Sequence, residues 1–317
     1  MTNEEFLDYL TEDEKHSLEN CELCPRKCHI NRIKGENGFC NTPITPSIAL
    51  IINHKGEEPA IGGKKGITNV FFSHCNCQCI YCQNYKISNN QTEIKTSYVS
   101  MSDILDKIEL TLQTSENIIG FVSPTHQLPA MKAIIRELRK RNLNPITVYN
   151  CGGYENIDEI KKLSSYIDIY LPDYKYSDDY LAEKFSKAPH YSTIAIKTIK
   201  EMYNQKGSTL LKIGVVAENG MIIRHLVLPN YLQNSKKALE NIADNISTNI
   251  TISLMSQYNP PFRLAHDELN RKLTENEYKE IENYAFHLGF HKGYFQDLTS
   301  SESVLPDFDN NTFLKNE

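Results

Sequence analysis

Six short apolar runs punctuate the chain from residue 67 onward. "ITNVFFSH", "NIIGFVSP", "PITVYNC", "YIDIYLPD", "MIIRHLVLP" and "NITISLMS" each read as a strand buried on both faces. Between them lie amphipathic stretches with helical period near 101–115, 128–141, 155–164, 178–204 and 234–245. Strand and helix in alternation predict parallel pairing with right-handed crossovers. Roughly 180 residues is short for a closed eight-fold barrel, so the pattern predicts an α/β fold, a partial (β/α)6 barrel. The stretch 201–221 adds a small hairpin with "NG" at its turn.

Ahead of this region Phe6, Leu7, Leu10 and Leu18 recur among charges and predict a helix over 1–20. Residues 21–66 are rich in Cys, Gly and Pro, with one apolar run, "IALII", and need something other than a large core to hold them. The expected organisation is an N-terminal helix and Cys-rich metal-binding segment over 1–66, a barrel over 67–260 and a helical extension over 261–317.

Composition narrows the class. A net charge of −6 argues against nucleic acid as a partner, and no apolar run of eighteen residues predicts a membrane span. The acidic, amphipathic "MTNEEFLDYLTEDEKHSLEN" has the wrong chemistry for a signal peptide, so the expected location is the cytoplasm. Nine cysteines in that reducing compartment are metal ligands or catalytic groups before they are disulfides.

Polar residues collect after the predicted strands: Ser73–His74, Ser123–His126, Asn150–Gly153, Asp173–Lys175, Pro229–Asn230 and Ser256–Tyr258. In parallel α/β architectures ligands bind at this rim, and the first strand delivers a cysteine loop to it. In "FFSHCNCQCIYCQN", Cys75, Cys79 and Cys82 are spaced C-x3-C-x2-C. Three thiolates on one short loop suit three irons of a [4Fe–4S] cube and leave the fourth iron open; a zinc knuckle or unligated thiols are the alternatives. Cys77 lies inside a spacing already satisfied and is read as non-ligating. A second group, Cys21, Cys24, Cys28 and Cys40, spaced C-x2-C-x3-C-x11-C, offers four thiolates to an auxiliary iron–sulfur cluster or to structural zinc. Gly35 and Gly38 allow its return turn.

"CNCQCIYC" resembles the cluster loop of the radical S-adenosylmethionine (SAM) superfamily, C-x3-C-x-aromatic-C, with Tyr81 in the aromatic slot. "FVSPTH", "DIYLPDYKY", "RHLVLPN" and "MSQYNP" extend the likeness, in order and spacing, to the branch related to pyruvate formate-lyase activating enzymes. The resemblance implies that Cys75, Cys79 and Cys82 hold the cluster, SAM chelates the open iron, and one electron yields a 5′-deoxyadenosyl radical that abstracts hydrogen. It implies a reducing donor such as flavodoxin or ferredoxin, and a protein partner whose glycine loses the hydrogen. Radical modification of another peptide or small molecule, or a non-catalytic redox module, are the competing readings. Tyr81 would lie against the adenine, and Asn150 and Gly152 beside SAM. Asp173 in "PDYK" would help hold SAM, through a monovalent cation, while Lys175 pairs a carboxylate. The Ser123–Thr125 turn would receive the SAM ammonium where relatives carry a Gly-Gly-Glu-like segment. His126 either acts on substrate or caps the following helix; strand alternation sends one of Arg224 and His225 inward and the other outward, as substrate-facing groups or as polar packing inside the barrel. The loop departs from the family pattern at His74, where Gly is usual, and at Cys77, where an apolar residue is usual.

Overall fold

The computed structural model describes residues 1–93, 98–298, 305–308 and 312–314. It opens on two short helices, α1 (Asn3–Leu7) and α2 (Glu12–Glu19), rather than the single one expected. Each begins at a capping box, Thr2 with Glu5 and Thr11 with Glu14, and the second box forces a new start where hydrophobic spacing alone implies continuity. β1 (Ile48–His54) contains the "IALII" run and pairs antiparallel with β2 (Ile67–Phe72), so the Cys-rich segment ends inside the main sheet. α3 (Pro59–Gly62) lies between them.

The six expected strands are all present and parallel: β2, β3 (Ile118–Val122), β4 (Ile146–Cys151), β5 (Ile169–Pro172), β7 (Val216–Leu226) and β8 (Thr251–Met255). The sheet order β1-β2-β3-β4-β5-β7-β8 ends on β9 (Gly293–Phe295), a seventh parallel strand within the region expected to be helical. β6 (Leu211–Ile213) pairs with β7 as the expected hairpin, but the turn is at Gly214–Val215. Asn219 and Gly220 lie inside β7 instead, at a register irregularity, with Gly220 at φ +135°.

The helices are α4 (Tyr85–Ser88), α5 (Met101–Leu112), α6 (Leu128–Lys140), α7 (Ile157–Lys161), α8 (Asp179–Ser186), α9 (Tyr191–Lys206), α10 (Leu232–Asn245) and α11 (Glu275–His287). The stretch 178–204, expected as one helix, is cut into α8 and α9 because Lys187 and His190 are left-handed (φ 49° and 57°) around Pro189. The C-terminal extension holds α11, β9 and the pair β10 (Leu305–Asp307) and β11 (Thr312–Leu314). Residues 299–304, 309–311 and 315–317 of that expected extension lie outside the described residues.

Alternation along each strand divides two layers. Val70, Phe72, Ile119, Phe121, Tyr149, Tyr170, Ile223 and Leu254 face the helices in the main core. Ile67, Ile118, Val148, Ile169 and Ile222 face inward, where Ala60 and Ile61 of α3 plug the amino ends of the strands. The carboxyl ends are left for chemistry.

Candidate active site

Chain leaving β2 turns sharply. His74 adopts φ +66°, donates its N–H to the Ile87 carbonyl at 2.6 Å, and is buried. A left-handed residue is what this turn needs, which accounts for glycine being usual there in the family the loop resembles. The three thiols that follow each receive a hydrogen bond: Cys75 Sγ from the Cys77 N–H (3.3 Å), Cys79 Sγ from Ser186 Oγ (2.9 Å) and Cys82 Sγ from Ser88 Oγ (3.3 Å). Donors aimed at three sulfurs of one loop fit thiolates that ligate a cluster, whose potential such bonds tune. Cys77 differs. It is 4% exposed, sits in the main core, and its thiol is pushed well up by its hydrogen bond to Cys75 and by burial, while that bond draws Cys75 down. Its side chain packs in the main core beside Cys75. Burial pushes Cys79 up to about 12 and raises Cys82, with the Lys175 charge opposing both.

Lys175 reaches the loop from β5. Its Nζ is ion-paired with Asp173; burial works against the ammonium, but Asp173 together with Cys79 and Tyr191 outweighs it and raises Lys175 well above the usual lysine range. The carboxylate expected for Lys175 is thus Asp173 itself. Gly152 faces Lys175, and a Cβ there would meet Lys175 Cε at 3.7 Å. Gly153, at φ +78°, has no such room: a Cβ would fall 2.2 Å from the Asp173 carbonyl oxygen. The Asn150 carbonyl accepts the Ser123 N–H at 2.8 Å, joining β4 to the β3 turn, where Ser123 is left-handed at φ 53°. Tyr81 is buried, its ring edge-on to Tyr258 at 5.8 Å and its hydroxyl 2.5 Å from that of Tyr176.

Alternation resolves Arg224 and His225. His225 faces α10, with Nδ1 2.7 Å from the Tyr174 carbonyl and Nε2 2.9 Å from Ser235 Oγ; burial lowers it to about 4. Arg224 points inward and its fork is already engaged: Nε donates to Glu58 at 2.8 Å, and Nη2 donates to Glu58 at 2.5 Å and to Glu57. Glu57 also accepts from Asn69 Nδ2 at 2.9 Å, and Ser253, in register with Arg224, is fully buried with an unpartnered Oγ. Of the two readings of Arg224, substrate-facing group and polar packing inside the barrel, the structure has the second: two glutamates from the turn before α3 enter the same space and make a buried ionic layer.

Thr125 and His126 also sit elsewhere than expected. Thr125 donates its hydroxyl to Glu155 at 2.8 Å on the helix side of the sheet, where Tyr149 donates to the other carboxylate oxygen at 2.8 Å. His126 is 1% exposed; its Nε2–H donates to the Ser73 carbonyl at 2.7 Å, its Nδ1 has no partner, and burial lowers it to about 3. It lines a pocket with Cys21, Cys24, Cys28, Cys40 and Arg32, behind the rim and not over it. Among the described residues no three His, Cys, Asp or Glu side chains converge on a point close enough for a single ion. A groove of about 380 Å³ lined by Arg139, Asp168 and Glu218 lies at the opposite, amino ends of the strands.

Glu155 was not legible as a site residue. Burial pushes its carboxyl up to about 7, although bonds from Thr125, Tyr149 and Cys151 hold it back. A raised carboxyl pKa means the unfolded chain ionises first as pH rises. Stability is therefore full below about 4.5, falls as pH rises toward 7, and stays reduced above. By the free-energy equivalent of a pKa shift the loss is about 3 kcal/mol. Glu155→Gln removes that slope, and urea unfolding at pH 5 and pH 8 checks it; a variant with the wild-type slope would assign the pH dependence elsewhere.

Residues 62–192 match the family model of a 4Fe-4S single cluster domain. Over 286 residues the chain is 28% identical to an uncharacterized protein of Methanocaldococcus jannaschii, covering 87% of this chain and 76% of that one. Among solved structures it is similar to a domain of a pyruvate-formate lyase-activating enzyme from Bacteroides vulgatus (14% identity, TM-score 0.40, 54% of this chain and 93% of that one). It is also similar to Streptococcus suis SuiB bound to S-adenosylmethionine (10% identity, TM-score 0.48, 70% of this chain and 48% of that one). A third is the FeFe-hydrogenase maturase HydG from Carboxydothermus hydrogenoformans (12% identity, TM-score 0.48, 70% and 51%). The chain thus spans about half the length of the last two. Three hydrogen-bonded thiols on one loop stand at the carboxyl end of a parallel strand, inside the residues that match the 4Fe-4S model. The match takes in the loop of Cys75, Cys79 and Cys82, so this region of the chain is similar to single-cluster 4Fe-4S domains. No helix among the described residues is long and apolar enough to cross a membrane.

Proposed function

We propose that this protein cleaves SAM reductively and uses the product to take a hydrogen atom from a partner polypeptide, the hydrogen being that of a glycine in a glycyl-radical enzyme. The observation that carries the radical step is the trio Cys75, Cys79 and Cys82, each sulfur with its own donor, next to the Asp173–Lys175 pair. A [4Fe–4S] cluster held by Cys75, Cys79 and Cys82 would supply the one electron for reductive cleavage of SAM to methionine and a 5′-deoxyadenosyl group able to take one hydrogen atom from substrate. The chain's own residues do the rest. Ser186 and Ser88 hold Cys79 and Cys82, and Lys175 sets positive charge beside all three sulfurs. A monovalent cation at Asp173 would have to displace Lys175 from that carboxylate.

The electron donor in this reading is a flavodoxin or ferredoxin of the cytoplasm. In this reading the N-terminal cysteines hold a second metal, an auxiliary cluster ahead of zinc, since four thiols line one pocket there. Anaerobic protein is assayed for iron, sulfide and zinc, then given dithionite and SAM, and 5′-deoxyadenosine is measured. About eight irons per chain supports two clusters, and about four with one zinc makes the N-terminal site structural. A SAM-binding protein whose reduced cluster never yields deoxyadenosine, alone or with glycine-deuterated polypeptide, would retire the proposal. Deuterium carried into deoxyadenosine identifies the glycine as the donor.

A further inference from the structure

The N-terminal cysteine segment grips the cluster loop at three points. Arg26, between Cys24 and Cys28, donates from Nε to the Asn76 carbonyl at 2.7 Å, with its guanidinium 3.2 Å from the Phe39 ring centroid. Asn90 spans both segments: Oδ1 accepts the Cys75 N–H (3.0 Å), and Nδ2 donates to the Cys75 carbonyl (2.9 Å) and the Phe39 carbonyl (2.8 Å). Asn41 Nδ2 donates to the Asn90 carbonyl at 3.0 Å. His126 donates Nε2–H to the Ser73 carbonyl at 2.7 Å, and its own carbonyl receives Arg32 Nη1 at 2.8 Å. On one side these contacts land on Ser73, Cys75 and Asn76. On the other they spring from Arg26, Phe39 and Asn41, which flank the N-terminal cysteines, and from Arg32 in the same pocket.

Residues 21–47 form no helix or strand; Leu23 and Ile44 anchor them in the main core, the contacts above fix their ends, and a ligand shared by their thiols would hold the turns between. A second observation points to that ligand. His126 gives its Nε2–H to Ser73, which leaves Nδ1 as a bare acceptor, nine-tenths and more buried, without a partner, in the wall of the four-thiol pocket.

We infer that a thiophilic metal centre at Cys21, Cys24, Cys28 and Cys40, walled by His126, is an assembly clamp for the radical site. Its loading fixes the segment that holds Ser73, Cys75 and Asn76, and so precedes and promotes cluster formation at Cys75, Cys79 and Cys82. The inference rests on the radical SAM reading only for the identity of the second site. Linkage makes the coupling reciprocal: a cluster at the loop tightens the N-terminal centre by the same factor.

The test is anaerobic reconstitution of wild type, Cys40→Ala and Asn90→Ala with iron and sulfide, with and without prior zinc. Iron, sulfide and zinc per chain are counted, and reduced samples are followed by electron paramagnetic resonance before and after SAM. Cys40→Ala should lose the N-terminal metal, and its SAM-shifted signal should fall about fivefold or more, the lower end of usual coupling between sites. Asn90→Ala keeps all seven thiols; it should retain the N-terminal metal yet lose the shifted signal to a similar degree. A full SAM-shifted signal in a folded Cys40→Ala protein lacking its N-terminal metal overturns the clamp. Should Cys40→Ala fail to fold, as judged by circular dichroism, Asn90→Ala decides alone, and an unchanged signal there overturns it equally. Wild type with cluster iron dependent on Cys40 but no response to SAM would sink the radical reading and leave the clamp standing. Prior zinc that restores iron uptake makes the centre a zinc site; zinc that blocks it makes the centre a cluster.

Discussion

Cys79→Ala eliminates 5′-deoxyadenosine formation, by at least about a thousandfold, whereas Cys77→Ala keeps the wild-type iron content and loses no more than about tenfold. A thousandfold is about 4 kcal/mol of barrier, far more than the loss of one hydrogen bond accounts for. It is the size expected when a ligand goes and the cluster goes with it. Cys79 has the marks of a ligand: it sits on the loop with Ser186 Oγ donating to its sulfur at 2.9 Å, and Lys175 favours its thiolate. Cys77, two residues before it, points into the main core and holds its proton by its bond to Cys75 and by burial. Removing it deletes a donor beside Cys75, which shifts the cluster's potential without unseating iron. Iron counts with the deoxyadenosine assay separate the cases. Turnover surviving in Cys79→Ala, or iron lost in Cys77→Ala, would mean the trio is assigned wrongly.

What could be read in the sequence followed from burial and local spacing. The six parallel strands were legible because both faces of each are covered, leaving unbroken apolar runs such as "IIGFV" of β3. The trio stood out because its three cysteines sit on one loop. Alternation placed Arg224 and His225 on opposite faces without knowing what either meets. Legibility stopped where a partner is far along the chain. Asn90 meets Phe39 at 51 residues' separation, Ser186 meets Cys79 at 107, and Arg224 meets Glu58 at 166. Nothing local in "GEEPA" marks its acids as partners of an arginine on β7. The "NG" pair and the 178–204 helix misled for another reason. Gly214 offers β7 a tighter turn, and two left-handed residues around Pro189 override a continuous amphipathic pattern.

Arg224→Met should cost about 3–5 kcal/mol of stability at pH 8, the usual loss when one partner of a buried ionic group is removed. The side chain is 12% exposed, and its departure leaves Glu57 and Glu58, at 7% and 6%, without their cation. In the wild type, burial pushes the Glu57 carboxyl up, but Arg224, with bonds to His54 and Asn69, draws it well below the usual carboxylate range. A depressed folded pKa contributes stability that is present above about 4.5 and lost as pH falls below it, so the wild type is level from pH 8 to 5 in this respect. The variant reverses the sign. With the cation gone, burial dominates, Glu57 rises above its unfolded value, and stability returns as pH falls from 8 toward 5. Arg224→Met should therefore gain more stability from mild acid than the wild type, whose own gain over that range comes from Glu155. Glu57→Gln and Glu58→Gln added to it should recover most of the loss at pH 8, since a neutral layer no longer needs a guanidinium. Urea unfolding at pH 8, 6 and 5 measures all of this. An equal loss at every pH would show that Arg224 acts through packing, by the apolar stem beneath its charge, and not as the counterion of this layer.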